Sequence, residues 1–403
     1  MKTLSAFPAA PHRMMFVAGM LAATTGGLWW AASLAGRLWP ALMPPMAVAP
    51  VWAHAWIMVF GLLGPFIFGF LFTTFPRWQN APEVRRAVYV PVFLGLVASA
   101  GLALWGAMGH PALFLAGVVI ACLTWLAAWI VLLQVMRGAK AIVSHGIVTA
   151  AALGVAVLSQ WCFAAGLWRD EAGLLHLALQ AALWGGVLPL VYAVCHRMIP
   201  FFTQSAVPLY KAFRPTWWLV TVSLLCLAHL ALQLAGLEAW LWLADGALAA
   251  LTLYCGLRWQ PWRSRPYPLL WTLYVAYFWL PLGLGLQFVA DLSFALTGEW
   301  LLGRAPLHAL GIGFLSSLLL AMASRVTLGH SGRKLVMDRF TVACFLALQA
   351  AALLRICSEV LPLPALVLPL VAASALAWTS GMFAWSVRYG KMLILPRIDG
   401  RPG

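Results

Sequence analysis

Among the nine histidines in this 403-residue chain, His54, His176, His229 and His308 fall inside long apolar runs. Neutral imidazole is the commonest side-chain metal ligand and a usual axial ligand of haem iron. In apolar surroundings an ionisable group is costly, so it turns toward a bundle interior or a polar cavity. Taken singly, each histidine is also accounted for by an interhelical hydrogen bond. Small residues accompany two of them at helical spacing: Gly61 and Pro65 follow His54, and Gly311 follows His308. They leave room for a flat ligand beside the imidazole, and they equally allow close helix packing. Arg355 lies well inside another apolar run, with Glu359 one turn on. It suits a haem propionate, and it equally suits an i,i+4 ion pair.

The elements that must position these residues follow from composition. Hydrophobic residues make up 64% of the chain and charged residues 9%, against about 25% charged in soluble domains. A water-soluble fold is excluded. The net charge of +15 would suit a nucleic acid if the basic residues shared a solvated face. They are instead spread over short loops, so no nucleic-acid partner is expected. A bilayer-spanning helix takes about 20 apolar residues, and twelve such runs occur, near 14–36, 51–75, 88–107, 112–136, 144–167, 173–195, 216–236, 239–257, 269–290, 306–325, 340–360 and 362–387. Turn chemistry separates them, as at Trp39-Pro40 and Gly109-His110-Pro111. The expected fold is an all-α polytopic membrane protein of twelve transmembrane helices, one integral membrane domain over 1–403 in contact with lipid. The first run exceeds the apolar core of a cleavable signal and reads as a membrane helix. The seven cysteines contain no CxxC pair and lie mostly in apolar runs, which argues for core residues over disulfides or a zinc ribbon. No Walker A loop, GxSxG, Rossmann fingerprint or HExxH is present.

Cytoplasmic loops retain Lys and Arg. With twelve helices, both termini and the loops after even-numbered helices share one side, which carries 21 of the 25 basic residues. Arg37, Arg169 and Arg304 fall on the other side and Arg355 inside the eleventh helix. Both termini are therefore expected in the cytoplasm. This orientation turns the histidines into a pattern. The second, sixth and tenth helices run inward, with His54, His176 and His308 near their outer starts, and His229 lies in the outer half of the seventh. Asp245, in the outer half of the eighth, either faces the same polar region or caps the bundle. His145, His196 and His330 lie near cytoplasmic ends, and His12 precedes the first helix. The second, sixth and tenth helices also end in Arg77, Arg197 and Arg325. Three four-helix units in series would explain this, as would arginines that merely mark the cytoplasmic interface. Trp29, Trp30, Trp52, Trp240 and Trp300 near outer ends, with Trp78, Trp217, Trp218 and Trp259 near inner ends, read as interfacial belts.

Three segments resemble the NnrS family of bacterial membrane haem–copper proteins associated with the response to nitric oxide. They are His54-Ala-Trp-Ile-Met-Val-Phe-Gly61 continuing to Gly69-Phe-Leu-Phe-Thr-Thr-Phe-Pro-Arg77-Trp78; Arg197-Met-Ile-Pro-Phe-Phe-Thr203; and His308-Ala-Leu-Gly-Ile-Gly313 continuing to Arg325-Val-Thr-Leu-Gly-His-Ser-Gly-Arg333. The ending, Arg388-Tyr-Gly-Lys391 and Pro396-Arg-Ile-Asp-Gly-Arg-Pro-Gly403, is similar as well. The chain departs from that family at Ile57, where an acidic residue is common, and at His196, where glycine is. The helix count also resembles haem–copper oxidases, which place haem histidines on the second and tenth of twelve helices and copper histidines on the sixth and seventh. The paired histidines of the oxidase pattern are missing here.

The resemblance implies a bacterial inner-membrane haem protein, with copper as a second metal, that acts on nitric oxide or a related small molecule or relieves nitrosative stress. His54 and His308 are then the expected haem ligands between the second and tenth helices, Arg355 a haem-binding residue, and His176 and His229 the copper candidates. If the protein is an enzyme, it is a haem- or copper-dependent oxidoreductase. The alternative class is a secondary transporter or metal-handling permease without haem, for which internal repeats and Pro/Gly-interrupted helices are also expected.

Overall fold

The computed structural model describes residues 6–400; Lys2 and Arg401, both counted in the charge partition, lie outside the described residues. Twelve helices are long and apolar enough to cross a membrane, and no strand occurs among the described residues. They are α1 Pro11–Leu38, α2 Pro50–Trp78, α3 Arg86–Gly109, α4 Pro111–Arg137, α5 Ser144–Arg169, α6 Ala172–Ala206, α7 Thr216–Leu234, α8 Glu238–Arg258, α9 Pro268–Thr297, α10 Ala305–His330, α11 Arg339–Val360 and α12 Pro364–Ile394. Five begin with proline, which has no N–H to lose at a first helical position. At the start of α11, Asp338 accepts from Thr341 N at 3.0 Å and Thr341 Oγ1 at 2.7 Å, a side-chain cap on otherwise orphaned donors.

The predicted spans coincide with these helices except at four ends, two of them in α10, which runs past 325 to His330, and α12, which runs past 387 to Ile394. Helix α6 continues past 195 to Ala206 through His196, Arg197 and Pro200, and α9 continues past 290 to Thr297. Polar residues read as span ends are carried on as further helical turns, because backbone hydrogen bonding does not stop where hydropathy does.

The chain divides into two compact units. The first comprises Met1–Val187, Val326–Lys334 and Met382–Gly403. Its aromatic core runs along α2 and α4, where Phe68 and Phe60 meet Trp125 edge-on at 4.9 and 5.6 Å. Helices α3 and α4 form a close hairpin with small residues at the contact: a Cβ on Gly106 would overlap Phe114 N and Cα, and one on Gly117 would lie 2.6 Å from Ala103 N. Backbone atoms cannot step aside as a side-chain tip can. Gly106→Leu is therefore expected to force the hairpin apart and cost about 3 kcal/mol, seen as a lowered melting temperature in detergent. An unchanged melting temperature would contradict this packing.

The first unit also gathers three distant segments. Buried Arg13 donates to the carbonyls of Leu393, at 2.8 Å, and Leu395. Ile398 N donates to Ser331 O at 3.2 Å, and Arg397 bonds His330 O while chelating Asp399 at 2.6 and 2.9 Å. Gly332 takes φ +74, and a Cβ there would press on the Asp399 carboxylate, so the Ser-Gly-Arg turn and the terminal Pro-Arg-Ile-Asp segment are parts of one assembly.

The second unit comprises Leu188–Arg325 and Leu335–Gly381. Helix α9 is its centre, packed by α8, by the C-terminal part of α6 and by the first turns of α10. Tyr277 OH donates to Thr252 O and Tyr274 OH to Trp259 O, both at 2.8 Å, which ties α9 to α8 and the residue after it.

The expected aromatic belts need correction. Trp217, Trp240 and Trp300 are exposed, but Trp29, Trp78, Trp218 and Trp259 are buried. Trp259 is fully enclosed and donates Nε1–H to Phe213 O at 2.9 Å, and Trp218 stacks on Tyr254 at 5.1 Å. A large ring with an internal hydrogen-bond partner is better placed in the core than at an interface. The cysteines behave as expected: all seven are free, and five are buried.

Candidate functional site

Each of the helices that carries an expected ligand near its start departs from α geometry just beyond that histidine. Ile57–Leu62 follows His54, Ala181–Val187 follows His176 and Ala309–Ser316 follows His308 as π-helical turns. No other π turn occurs among the described residues. The helices concerned are α2, α6 and α10, the four-helix spacing read from the histidines and arginines. A π turn carries one extra residue, widens the helix, and is found frequently at functional sites.

His308 has the better-defined ring. Its Nδ1 lies 2.9 Å from Arg304 O. A carbonyl only accepts, so Nδ1 carries the proton and Nε2 keeps its lone pair. That is the tautomer and the backbone anchor that metal-bound imidazoles use. One turn on, a Cβ at Gly311 would meet nothing within 4 Å. The π turn is held from behind. Ser316 Oγ donates to Gly311 O at 2.9 Å and Ser317 Oγ to Ile312 O at 3.3 Å, reaching carbonyls five residues back. Gln349 of α11 donates to Ser317 Oγ at 2.7 Å and accepts from Trp279 Nε1 of α9 at 2.7 Å. Gln349→Leu strands that indole N–H and removes the donor to Ser317. An expected cost of about 1–3 kcal/mol should appear as a lower melting temperature, and wild-type stability would refute the role given to this chain.

His54 lies in the first unit and is half-buried, with its ring stacked on Trp30 of α1 at 4.0 Å and 16° between planes. Beyond it, the nearest side-chain atom to a Cβ at Gly61 would be 3.6 Å away, so that helix face is not crowded. His176, also in the first unit, is exposed and lies 3.4 Å from Gln180 Nε2. Arg355, in the second unit, makes the i,i+4 ion pair with Glu359 at 2.6 Å and donates to Ser358 Oγ at 2.8 Å. The first turn of α10, which ends at His308, packs on α11, the helix of Arg355.

Around His229 the structure assembles more than the sequence suggested. His229 of α7, Asp245 of α8 and Asp291 of α9 each bring a ligand atom within 4.8 Å of the others. His229 Nδ1 lies 2.8 Å from Asp245 Oδ1. Asp245 thus faces a polar group in the core and is not a bundle cap. Asp291 was missed because the ninth span was closed one residue before it. As an acid in line with an apolar run and four residues after Gln287, it carried the signal. Gln287 donates to Asp291 Oδ1 at 3.0 Å.

A second grouping unread in the sequence lies in the first unit. His12, fully buried, meets His330 with ring centroids 4.4 Å apart and lies 3.4 Å from Thr73 Oγ1. The charge partition put both near cytoplasmic ends, but no spacing rule pairs residues from the first and tenth helices. Of the three arginines expected at helix ends, Arg77 alone lies at one and reaches Glu83 at 3.7 Å; Arg197 and Arg325 lie inside α6 and α10, and Arg325 lies over the Phe202 ring at 4.2 Å and donates to Ser205 Oγ at 3.2 Å.

A family model described as NnrS protein matches residues 6–397, nearly the whole chain. Comparison with curated proteins found no match.

Proposed function

The chain belongs to the NnrS family, and on that premise we propose that it is a haem protein of the bacterial cytoplasmic membrane that acts in the response to nitric oxide. The observation that carries this reading is His308: its Nδ1–H is anchored on Arg304 O, which leaves Nε2 as a ligand atom beside the open face of Gly311. These residues fit an axial ligand and the space a flat macrocycle needs. His54, half-buried against Trp30 and followed by its own π turn, is the histidine of the first unit that we propose as a haem ligand. Haem iron, when bound, supplies a coordination position for a diatomic gas. The chain's part is to hold the imidazoles in one tautomer and orientation and to set the polarity around them. Arg355 enters this reading as a propionate partner through guanidinium N–H groups not used on Glu359 and Ser358. Both termini face the cytoplasm in this reading, supported by 21 of 25 basic residues on that side.

Copper is the weaker half of the family expectation for these residues. The groups gathered at His229 are carboxylates, harder donors than the thiolates and thioethers that select Cu(I), and His176 lies exposed beside Gln180.

The test is the visible spectrum and pyridine haemochrome of the protein purified in detergent. A Soret band with stoichiometric haem is expected, sharpened or shifted when nitric oxide is added to the reduced form. Protein folded and free of haem after expression with ample haem supply would overturn the reading.

A further inference from the structure

We propose that His229, Asp245 and Asp291 form a site for a divalent first-row cation of the zinc or manganese class, built where α7, α8 and α9 meet. The site does not rest on the haem reading. Only ten acidic residues occur in the chain, and Asp245 and Asp291 are both fully buried, at 0% exposure, with His229 at 2%. Burying two carboxylates in an apolar helix bundle carries a large desolvation cost unless an opposite charge accompanies them. Neither aspartate pairs with a lysine or arginine among the described residues.

The hydrogen bonds leave donor capacity on the inner side of the cluster. Asp291 Oδ1 is held by Gln287 Nε2 at 3.0 Å and Trp300 Nε1 at 3.3 Å, while its Oδ2 is buried without a donor. Asp245 Oδ1 meets His229 Nδ1 at 2.8 Å, while its Oδ2 is likewise buried without a donor, and the two carboxylates lie within hydrogen-bonding reach of each other. Two carboxylates that face each other beside an imidazole with no donor between them are an expensive arrangement unless a proton or a cation joins them, and a cation is the occupant this site suits.

Geometry and donor type narrow the ligand. One atom from each residue lies within 4.8 Å of the others. Three ligands about 2.0–2.2 Å from one tetrahedral metal lie about 3.3–3.6 Å apart, so a contraction of up to about 1.5 Å closes the site. Two carboxylates balance a double positive charge. One nitrogen and two oxygens suit zinc, manganese or ferrous iron, whereas calcium takes six to eight oxygens. Gln287 and Trp300 orient Asp291 from outside, as second-layer partners of metal ligands do. Three protein donors leave a further position for water.

The test uses the full-length protein in detergent, stripped with a chelator and equilibrated with Zn²⁺ alone. After removal of free metal, mass spectrometry is expected to find about one zinc per chain, and zinc should raise the melting temperature. Asp245→Asn and Asp291→Asn keep shape and remove charge, and each should lower retained zinc at least tenfold and abolish the thermal shift, with haem content per chain unaltered. Folded wild-type protein that retains no zinc, as it would if the two carboxyls simply share a proton, overturns the proposal. Equal retention by wild type and both variants also overturns it. Should one variant fail to fold, the wild-type stoichiometry and the other variant still decide.

Discussion

Protein purified as the His308→Ala variant is expected to carry at least tenfold less haem per chain than wild type, with the Soret band correspondingly lost. The size of the effect follows from how little else the position offers. In this variant the Arg304 carbonyl at 2.9 Å keeps its helix but loses its imidazole, and no other histidine lies on α10 between Ala305 and His330. A haem deprived of the His308 imidazole would lose both a coordinate bond and the orientation it imposed. His308→Gly in growth medium containing imidazole distinguishes ligation from a folding defect, because free imidazole can enter the vacated space and restore the band. His110→Ala, an exposed position between α3 and α4, serves as the control and should match wild type. Wild-type haem content and Soret position in His308→Ala would end the assignment of that residue.

How much of this was legible in the chain varied with the kind of order involved. Spans are written in composition: about 20 apolar residues leave no other way to satisfy a backbone in lipid, so all twelve helices could be read, and proline and glycine breaks located most of their ends. Hydropathy misled at polar residues that continue a helix. His196 and Arg197 made α6 look finished when it runs to Ala206, and Asp291 made α9 look finished when it runs to Thr297. The second error hid a member of the His229 cluster, because a residue placed outside a span is not asked what it faces inside one. Contacts between remote segments were invisible for a different reason. Nothing periodic links Arg13 to Leu393 or His12 to His330; only the folded chain does. The ending Pro396-Arg-Ile-Asp-Gly was recognisable as a motif without showing that Arg397 and Ile398 bind the His330-Ser331 turn. Likewise Arg355 and Glu359 were read with two equal accounts, and the ion pair at 2.6 Å is the one the geometry contains.

The π turns were the least legible feature, since π and α segments are made from the same residues. Their effect can be isolated by deleting Ala309, the first residue of the turn after His308. Removing one residue from a π turn restores regular i→i+4 pairing, and a step of one residue rotates a helix by about 100°. With Gly313 pressed against the Trp279 indole and Ser317 bonded to Gln349, the C-terminal part of α10 is fixed by its neighbours. The rotation therefore falls on the N-terminal turn. His308 is swung off its face and its Nε2 no longer points where it did. The deletion variant is expected to insert and remain monodisperse, because α10 stays apolar and helical, yet to lose haem at least tenfold, like His308→Ala, although the histidine is present. Inserting one alanine after Gly313 in the deletion variant should recover part of the haem by rebuilding the extra residue within the same turn. Full haem content in the deletion variant would mean that the π turn is a packing accommodation with no bearing on the ligand, and failure to insert would mean that it is required for the helix itself.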